Sequence, residues 1–329
     1  MKDGENIVNT GTGNDYIVSG QSVDTIDGGE GNDTVDYVEV GESIYIDTRD
    51  ITTDPSTTGN YNPITKELLV KLGAEGAAEF DKIKNIEIIK GTNLSDYLYV
   101  LNNKQDTIYG NAGDDMIFGS NDDKLYGDAG ADTIEFKLAS DKSGVLDGGT
   151  GVDDLIIMND VNTEEIYANL NTNKVKLGVG GTESIISSID NLTFKSTKDI
   201  VNEKAGVSNK ILLGDNDDLL IIDTATSGGD ILNGESGDDT IKLDYTSQTG
   251  ITKVDYLNNK IVQYDVGNTE ITSSVISNFE TVIGSNFNDW LTTSTLVKNT
   301  FNAGAGNDKV EYNYSSEVKV GNVIDSMEG

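Results

Sequence analysis

Residues 106–134 read D-T-I-Y-G-N-A-G-D-D-M-I-F-G-S-N-D-D-K-L-Y-G-D-A-G-A-D-T-I. Asp106, Asp115, Asp123 and Asp132 recur at steps of nine, eight and nine residues, and an aliphatic follows two positions after each: Ile108, Ile117, Leu125 and Ile134. This period is too short for a helix-turn-helix repeat and too long for a hairpin strand. It fits a nonapeptide of the form G-G-x-G-x-D-x-U-x, with U aliphatic, that winds into a parallel β-solenoid.

The spacing has a physical basis. A glycine-rich hexapeptide turns the chain where positive φ or converging carbonyls leave no room for a Cβ. A short x-U-x strand follows, and U points inward because successive strand side chains face opposite ways. Asp, at the end of the turn, is the anionic group. Two units make one coil, so a hard cation is expected between stacked turns.

The same unit recurs along the chain. Residues 10–36 carry it on Asp15, Asp24 and Asp33, and G-G-E-G-N-D-T-V-D from Gly28 to Asp36 matches the pattern in full. G-T-N-L-S-D-Y-L (91–98) is a degenerate copy on Asp96, followed by the central array and by G-G-T-G-V-D-D-L (148–155) on Asp153. Further units fall on Asp218, Asp230, Asp239, Asp289 and Asp308, each again with an aliphatic two residues later. Gly13, Gly31, Gly113, Gly130, Gly151, Gly228, Gly237 and Gly306 stand two residues before their aspartates, and Gly214 precedes Asp218 in its turn. The candidate metal aspartates are therefore Asp15, Asp24, Asp33, Asp106, Asp115, Asp123, Asp132, Asp153, Asp218, Asp230, Asp239 and Asp308. Asp96, Asp106 and Asp289 sit in glycine-poor turns, where an ordinary turn role competes with a ligand role.

Three inserts interrupt the period. The reading divides the chain into repeat blocks at 1–36, 91–156, 213–242 and 284–329 and strand-rich inserts at 37–90, 157–212 and 243–283, as one continuous solenoid. The first insert holds strand-like S-I-Y-I-D (43–47), L-L-V-K-L (68–72) and I-K-N-I-E-I-I (83–89), with a polar loop around Pro55 and Pro63. All three share an N-Ψ-x-Ψ pattern, at N-I-E-I, N-L-T-F and N-F-E-T-V. The fold class expected is all-β: a parallel β-roll with strand inserts that continue the solenoid without metal.

Composition narrows the chemistry. Asp+Glu number 57 against 23 Lys+Arg, a net charge of −34. No basic stripe exists to neutralise phosphate, which excludes nucleic acid as an electrostatic partner and disfavours anionic membrane. Self-repulsion of this size calls for cations, and abundant oxygen ligands suit calcium. Cys and His are both absent. Disulfides, thiolate or imidazole metal sites and Ser-His-Asp or Cys-His catalysis are thereby excluded. No apolar run reaches the ~18–20 residues of a membrane span, and the N-terminus lacks the apolar core of a signal peptide. The chain enters its repeat almost at once, which reads as a piece of a longer protein.

These motifs resemble the hemolysin-type, or repeats-in-toxin (RTX), calcium-binding repeats. The resemblance implies a parallel β-roll that binds several Ca²⁺ ions through turn carbonyls and the Asp carboxylate. It implies secretion through a type I exporter and folding outside a bacterial cell, on calcium. By motif it carries the carboxylate role onto Asp15, Asp33, Asp115, Asp132, Asp153, Asp239 and Asp308. The turn role falls on Gly11, Gly13, Gly29, Gly31, Gly149, Gly151, Gly304 and Gly306. The short arrays split by inserts depart from the family's longer unbroken ones.

Two functions stay open. One is a calcium-binding structural module of a secreted cell-surface protein, of S-layer or adhesin type, that self-assembles or attaches to a surface. The other is the C-terminal export and folding module of a larger toxin or enzyme. No catalytic residues are expected. An ice-binding face would need a regular Thr row, whereas the positions after each Asp read Tyr16, Thr25, Thr34, Thr107, Met116, Lys124, Thr133 and Asp154. A glycosidase-like carboxylate pair would have to come from aspartates already assigned to metal.

Overall fold

The computed structural model describes residues 4–48, 61–62, 67–73, 79–100, 105–159, 164–195, 197–203, 207–222, 229–245, 250–293, 299–311 and 323–324. Every regular element among them is a β-strand. The chain forms two compact units, Met1–Met158 with Thr182–Ile189, and Asn159–Gly181 with Asp190–Gly329.

In the first unit two nonapeptides make one coil. Asn6 lies beside Asp24 and Tyr16 beside Thr34 in parallel pairings, an offset of 18 residues in each case. In the central array Thr107 pairs with Lys124 and Met116 with Thr133, also parallel. Strands therefore alternate between two faces, and the U residues meet between them. Ile26, Val35, Leu98, Ile108, Ile117, Leu125 and Ile134 are all 0 % exposed. A side chain of this kind contributes about 1.5–3 kcal/mol on burial.

The inserts are meanders, not further coils. In the first, Phe80–Lys84 lies parallel to Asp24–Asp27, Glu67–Leu72 lies antiparallel to Phe80–Lys84, and Ile44–Asp47 lies antiparallel to Glu67–Leu72. Tyr97–Tyr99 then resumes parallel to Ile44–Asp47. Two reversals restore the strand direction, so the parallel face continues across the insert. In the second unit the same plan recurs. Glu270–Ser277 pairs parallel with Ile231–Asn233, Lys260–Tyr264 is antiparallel to both its neighbours, and Ile251–Asp255 pairs parallel with Asp289–Thr292. The middle insert places Ser184–Ser187 parallel to Val145–Asp147 in the first unit. In the second unit it places Ile166–Asn169 antiparallel to Lys174–Leu177 and parallel to Asp199–Asn202.

The segment 83–89 reads as a single strand, but it breaks: Phe80–Lys84 ends, Asn85 takes φ 52°, and Ile88–Lys90 begins. Ser188 (φ 53°) and Asn278 (φ 54°) break the other two inserts in the same way. The left-handed residue thus aligns N-I-E, S-I-D and N-F-E, and the second motif begins at Ser188, not at Asn191. The loop around Pro55 and Pro63 lies outside the described residues.

Candidate metal centre

A ladder of carboxylates runs along the coils. The backbone N–H of Asp15 donates to Asp33 Oδ1 at 2.8 Å, that of Asp96 to Asp115 Oδ1 at 2.7 Å, and that of Asp115 to Asp132 Oδ1 at 2.8 Å. Asp132 continues to Asp153 Oδ1 at 2.9 Å. In the second unit Asp199 donates to Asp218 at 2.7 Å, Asp218 to Asp239 at 2.8 Å and Asp289 to Asp308 at 3.0 Å. Each Asp stands just before its strand or, as Asp199 and Asp289 do, at its first residue, where its own N–H needs an acceptor.

The second carboxylate oxygen faces into the turn. Oδ2 of Asp15, Asp33, Asp115, Asp132, Asp218 and Asp239 is buried and has no hydrogen-bond partner. A buried charged oxygen in this state is costly. A glycine lies under it. A Cβ on Gly28 would come within 2.6 Å of Asp33 Oδ2, and Cβ atoms on Gly110, Gly127 and Gly234 would collide with Oδ2 of Asp115, Asp132 and Asp239.

The turns themselves stack closely. Thr12 bridges to Glu30, Ala112 to Ala129, Ala129 to Thr150 and Asp215 to Ser236, all parallel. A Cβ on Gly29 or Gly31 would strike the carbonyl of Gly11 or Gly13, and one on Gly130 or Gly151 the carbonyl of Gly113 or Gly130. Gly149 sits in the same way over Asp128, Gly214 over Phe194, Gly237 over Asn216, Gly304 over Ser285 and Gly306 over Phe287. Glycine is required here because a neighbouring carbonyl occupies the space of a side chain.

The electrostatics agree with this geometry. Burial, with repulsion from Asp96, Asp132 and Asp114, pushes Asp115 up to about 7. Burial, with Asp199, Asp239 and Asp217, pushes Asp218 up to about 8. Asp132 and Asp239 rise to about 6 for the same first reason. Backbone N–H donors lower all four but do not offset the loss of water. Orphaned oxygens, stacked carbonyls and an all-oxygen donor set fit a hard cation of the calcium type. Among the described residues no three carboxylates converge.

The candidate aspartates are not equivalent. Successive coils place the glycine-rich turns along one edge only within each block. Asp15 and Asp33 share one row, Asp115, Asp132 and Asp153 another, and Asp218 with Asp239 a third. Asp24, Asp106, Asp123 and Asp230 lead into the opposite face. Asp24 Oδ1 accepts from the Asn6 backbone and side chain, and its Oδ2 from Ser19 at 3.4 Å. Asp123 accepts Asp106 N–H on one oxygen and Ser120 N–H on the other, at 2.9 and 2.8 Å. Asp230 accepts Asn209 N–H and the Ser274 hydroxyl. Protein groups thus fill both oxygens of Asp24, Asp123 and Asp230. Asp96 is satisfied by Thr92 and Ile44. Gly228 lies outside the described residues.

Other members of the ladder escape the nonapeptide pattern. Glu87 Oε2 accepts Asp33 N–H at 3.0 Å and Glu280 Oε2 accepts Asp239 N–H at 2.9 Å. Asp199, with Oδ2 buried and unpartnered, extends the row of Asp218. Their signal was an acidic residue two before an aliphatic, without any glycine. The glycines under Oδ2 had a signal too: they stand five residues before the Asp.

The fold and these rows define a cation-binding parallel β-solenoid. The RTX calcium-binding nonapeptide repeat matches the chain in four copies, at residues 2–35, 102–122, 119–138 and 224–244. The chain carries RTX calcium-binding repeats, and calcium is the ion that these repeats imply. No curated protein matches it.

Proposed function

We propose that this chain is a non-enzymatic, calcium-folded structural module of a secreted bacterial cell-surface protein, of the S-layer or adhesin type. The observation that carries the reading is the row of buried Oδ2 atoms without partners over stacked glycine turns. Inside the cell, where calcium is scarce, those carboxylates oppose coiling. Outside, at calcium of about 0.1–1 mM, the range of extracellular modules, the ion neutralises them and closes each coil on the next. Residues of the glycine-rich rows would hold the ions, with Asp15, Asp33, Asp115, Asp132, Asp153, Asp218, Asp239 and Asp308 as carboxylate donors.

Repeat coils in both units, and the meanders that carry the parallel face across the first and third inserts, support a structural role. Type I export, lattice assembly and surface attachment belong to the same proposal. Calcium titration followed by far-UV circular dichroism, with magnesium as control, tests its first part. A disordered chain turning to β-sheet with calcium alone is expected; full β signal in chelator would overturn calcium-driven folding. Ordered arrays or cell attachment in calcium would support the surface role, and a dispersed monomer would argue against it. The export-module reading stands if the full-length gene carries a toxin or enzyme region upstream.

A further inference from the structure

Resting on the calcium reading of the glycine rows, we propose that the inserts themselves supply ligands. The last glycine turn before an insert and the Asn-Ψ-Glu turn that closes the insert hold one further ion of the calcium class. Glu280 in the second unit and Glu87 in the first are the ligands, and neither belongs to a nonapeptide. In the second unit the site is built on Asp239, which is 0 % exposed and whose Oδ2 has no hydrogen-bond partner. A Cβ on Gly234 would collide both with that Oδ2 and with the carbonyl oxygen of Asn278. The two oxygens therefore face one small space, near enough together for a single ion to touch both.

Glu280 completes the wall. Its N–H and that of Thr281 both donate to the Asp239 carbonyl at 3.0 Å, and its Oε2 accepts the Asp239 N–H at 2.9 Å. Among like charges Glu280 acts most strongly on Asp239, ahead of Asp217 and Asp238. The first unit repeats the arrangement. Asp33 is 0 % exposed with Oδ2 unpartnered, a Cβ on Gly28 would strike that oxygen and the Asn85 carbonyl, and Glu87 Oε2 accepts the Asp33 N–H. Asn85 and Asn278 are both left-handed, and the acid stands two residues after each. Both glutamates are half-buried, which leaves an ion a path in from solvent.

A hydrogen-bond cap alone does not call for this pairing. The Asp230 N–H is capped by the Ser274 hydroxyl at 3.3 Å, and the Ser19 hydroxyl lies between Asp24 and Asp81. There protein groups already fill the oxygens of Asp24 and Asp230. At Gly91 the Gly110 carbonyl and Asp96 Oδ2 also meet, but the Thr92 N–H fills that Oδ2 at 2.6 Å. Asp33 and Asp239 instead combine a buried, unpartnered oxygen with an acidic neighbour, a charge that a cation must offset. Two carboxylates and a main-chain carbonyl are oxygen donors of the kind calcium takes.

Glu87→Gln with Glu280→Gln keeps an amide oxygen to accept each Asp N–H and deletes the charge. In the whole chain carrying both, calorimetric calcium titration should show two sites weakened by at least about tenfold. The remaining sites and the far-UV dichroism of the calcium form should not change. Unchanged affinity at every site would overturn the proposal and leave the glutamates as hydrogen-bond caps. Crystals of the unaltered chain grown in calcium and exchanged into terbium chloride give a second reading, which decides if the variant does not fold. Anomalous peaks beside Glu87 and Glu280 are expected in addition to those between glycine turns. Peaks between glycine turns alone would overturn this proposal and spare the turn sites, and no peaks anywhere would overturn both.

Discussion

Asp132 and Asp123 occupy the same place in their nonapeptides but serve different ends. Asp132 Oδ2 is unpartnered, whereas both Asp123 oxygens hold backbone N–H groups. Asp132→Ala is expected to weaken calcium binding by at least about tenfold at its turns, since perturbing even a ligand's outer shell costs that much. Asp123→Ala should leave the calcium count unchanged but cost about 1–3 kcal/mol, by stranding the N–H groups of Asp106 and Ser120. Calorimetric titration and thermal melts in calcium separate the two. Gly127→Ala should behave like Asp132→Ala, because its Cβ would collide with Asp132 Oδ2, whereas Gly180→Ala meets open space. Equal calcium affinities in those two variants would remove the glycine's role. Acidity acts on the same carboxyls. Asp115, at about 7, and Asp218, at about 8, hold protons in the folded chain that the unfolded chain releases near pH 4. In chelator, folding should therefore be favoured by acid, and that contribution is lost as pH rises from about 4 through about 8. In calcium the sense reverses: protons compete with the ion, and the half-saturating calcium concentration should climb as pH falls below about 7.

At the scale of elements, the period exposed the coils because one aliphatic every nine residues is a strong signal. The pairing of two units per coil came with it, and Asn6 beside Asp24 bears that out. Which edge each turn occupies was hidden, since Asp-x-aliphatic is common to both edges; a glycine five residues before the Asp marks Asp33, Asp115, Asp132 and Asp239, but Thr10 and Leu213 stand there before Asp15 and Asp218. Meander topology was hidden as well. The strands of the inserts could be read from their apolar residues, but the break at Asn85 could not, because apolar residues run on through Ile86, Ile88 and Ile89. The left-handed backbone at that break predicts its own substitution pattern. Asn278→Gly should be tolerated, and Asn278→Val should lower the melting temperature by an amount worth roughly 1–2 kcal/mol, the cost of placing a Cβ at positive φ. Equal melting temperatures would show that the kink relaxes freely.

For the whole molecule, the ladder has a direction. Asp33 caps Asp15, Glu87 caps Asp33, Asp115 caps Asp96, Asp153 caps Asp132, Asp239 caps Asp218 and Asp308 caps Asp289. In each, the carboxylate comes from the later part of the chain and the N–H from the earlier part. A coil is therefore completed only by the next coil along the chain. If the chain is delivered C-terminus first, every arriving strand finds its cap already in place, and order can propagate backwards without pause. If it is delivered N-terminus first, each coil must wait for its successor. Within each unit the coils thus have a preferred direction of growth, and removing a unit's last coil should unravel that unit further than removing its first.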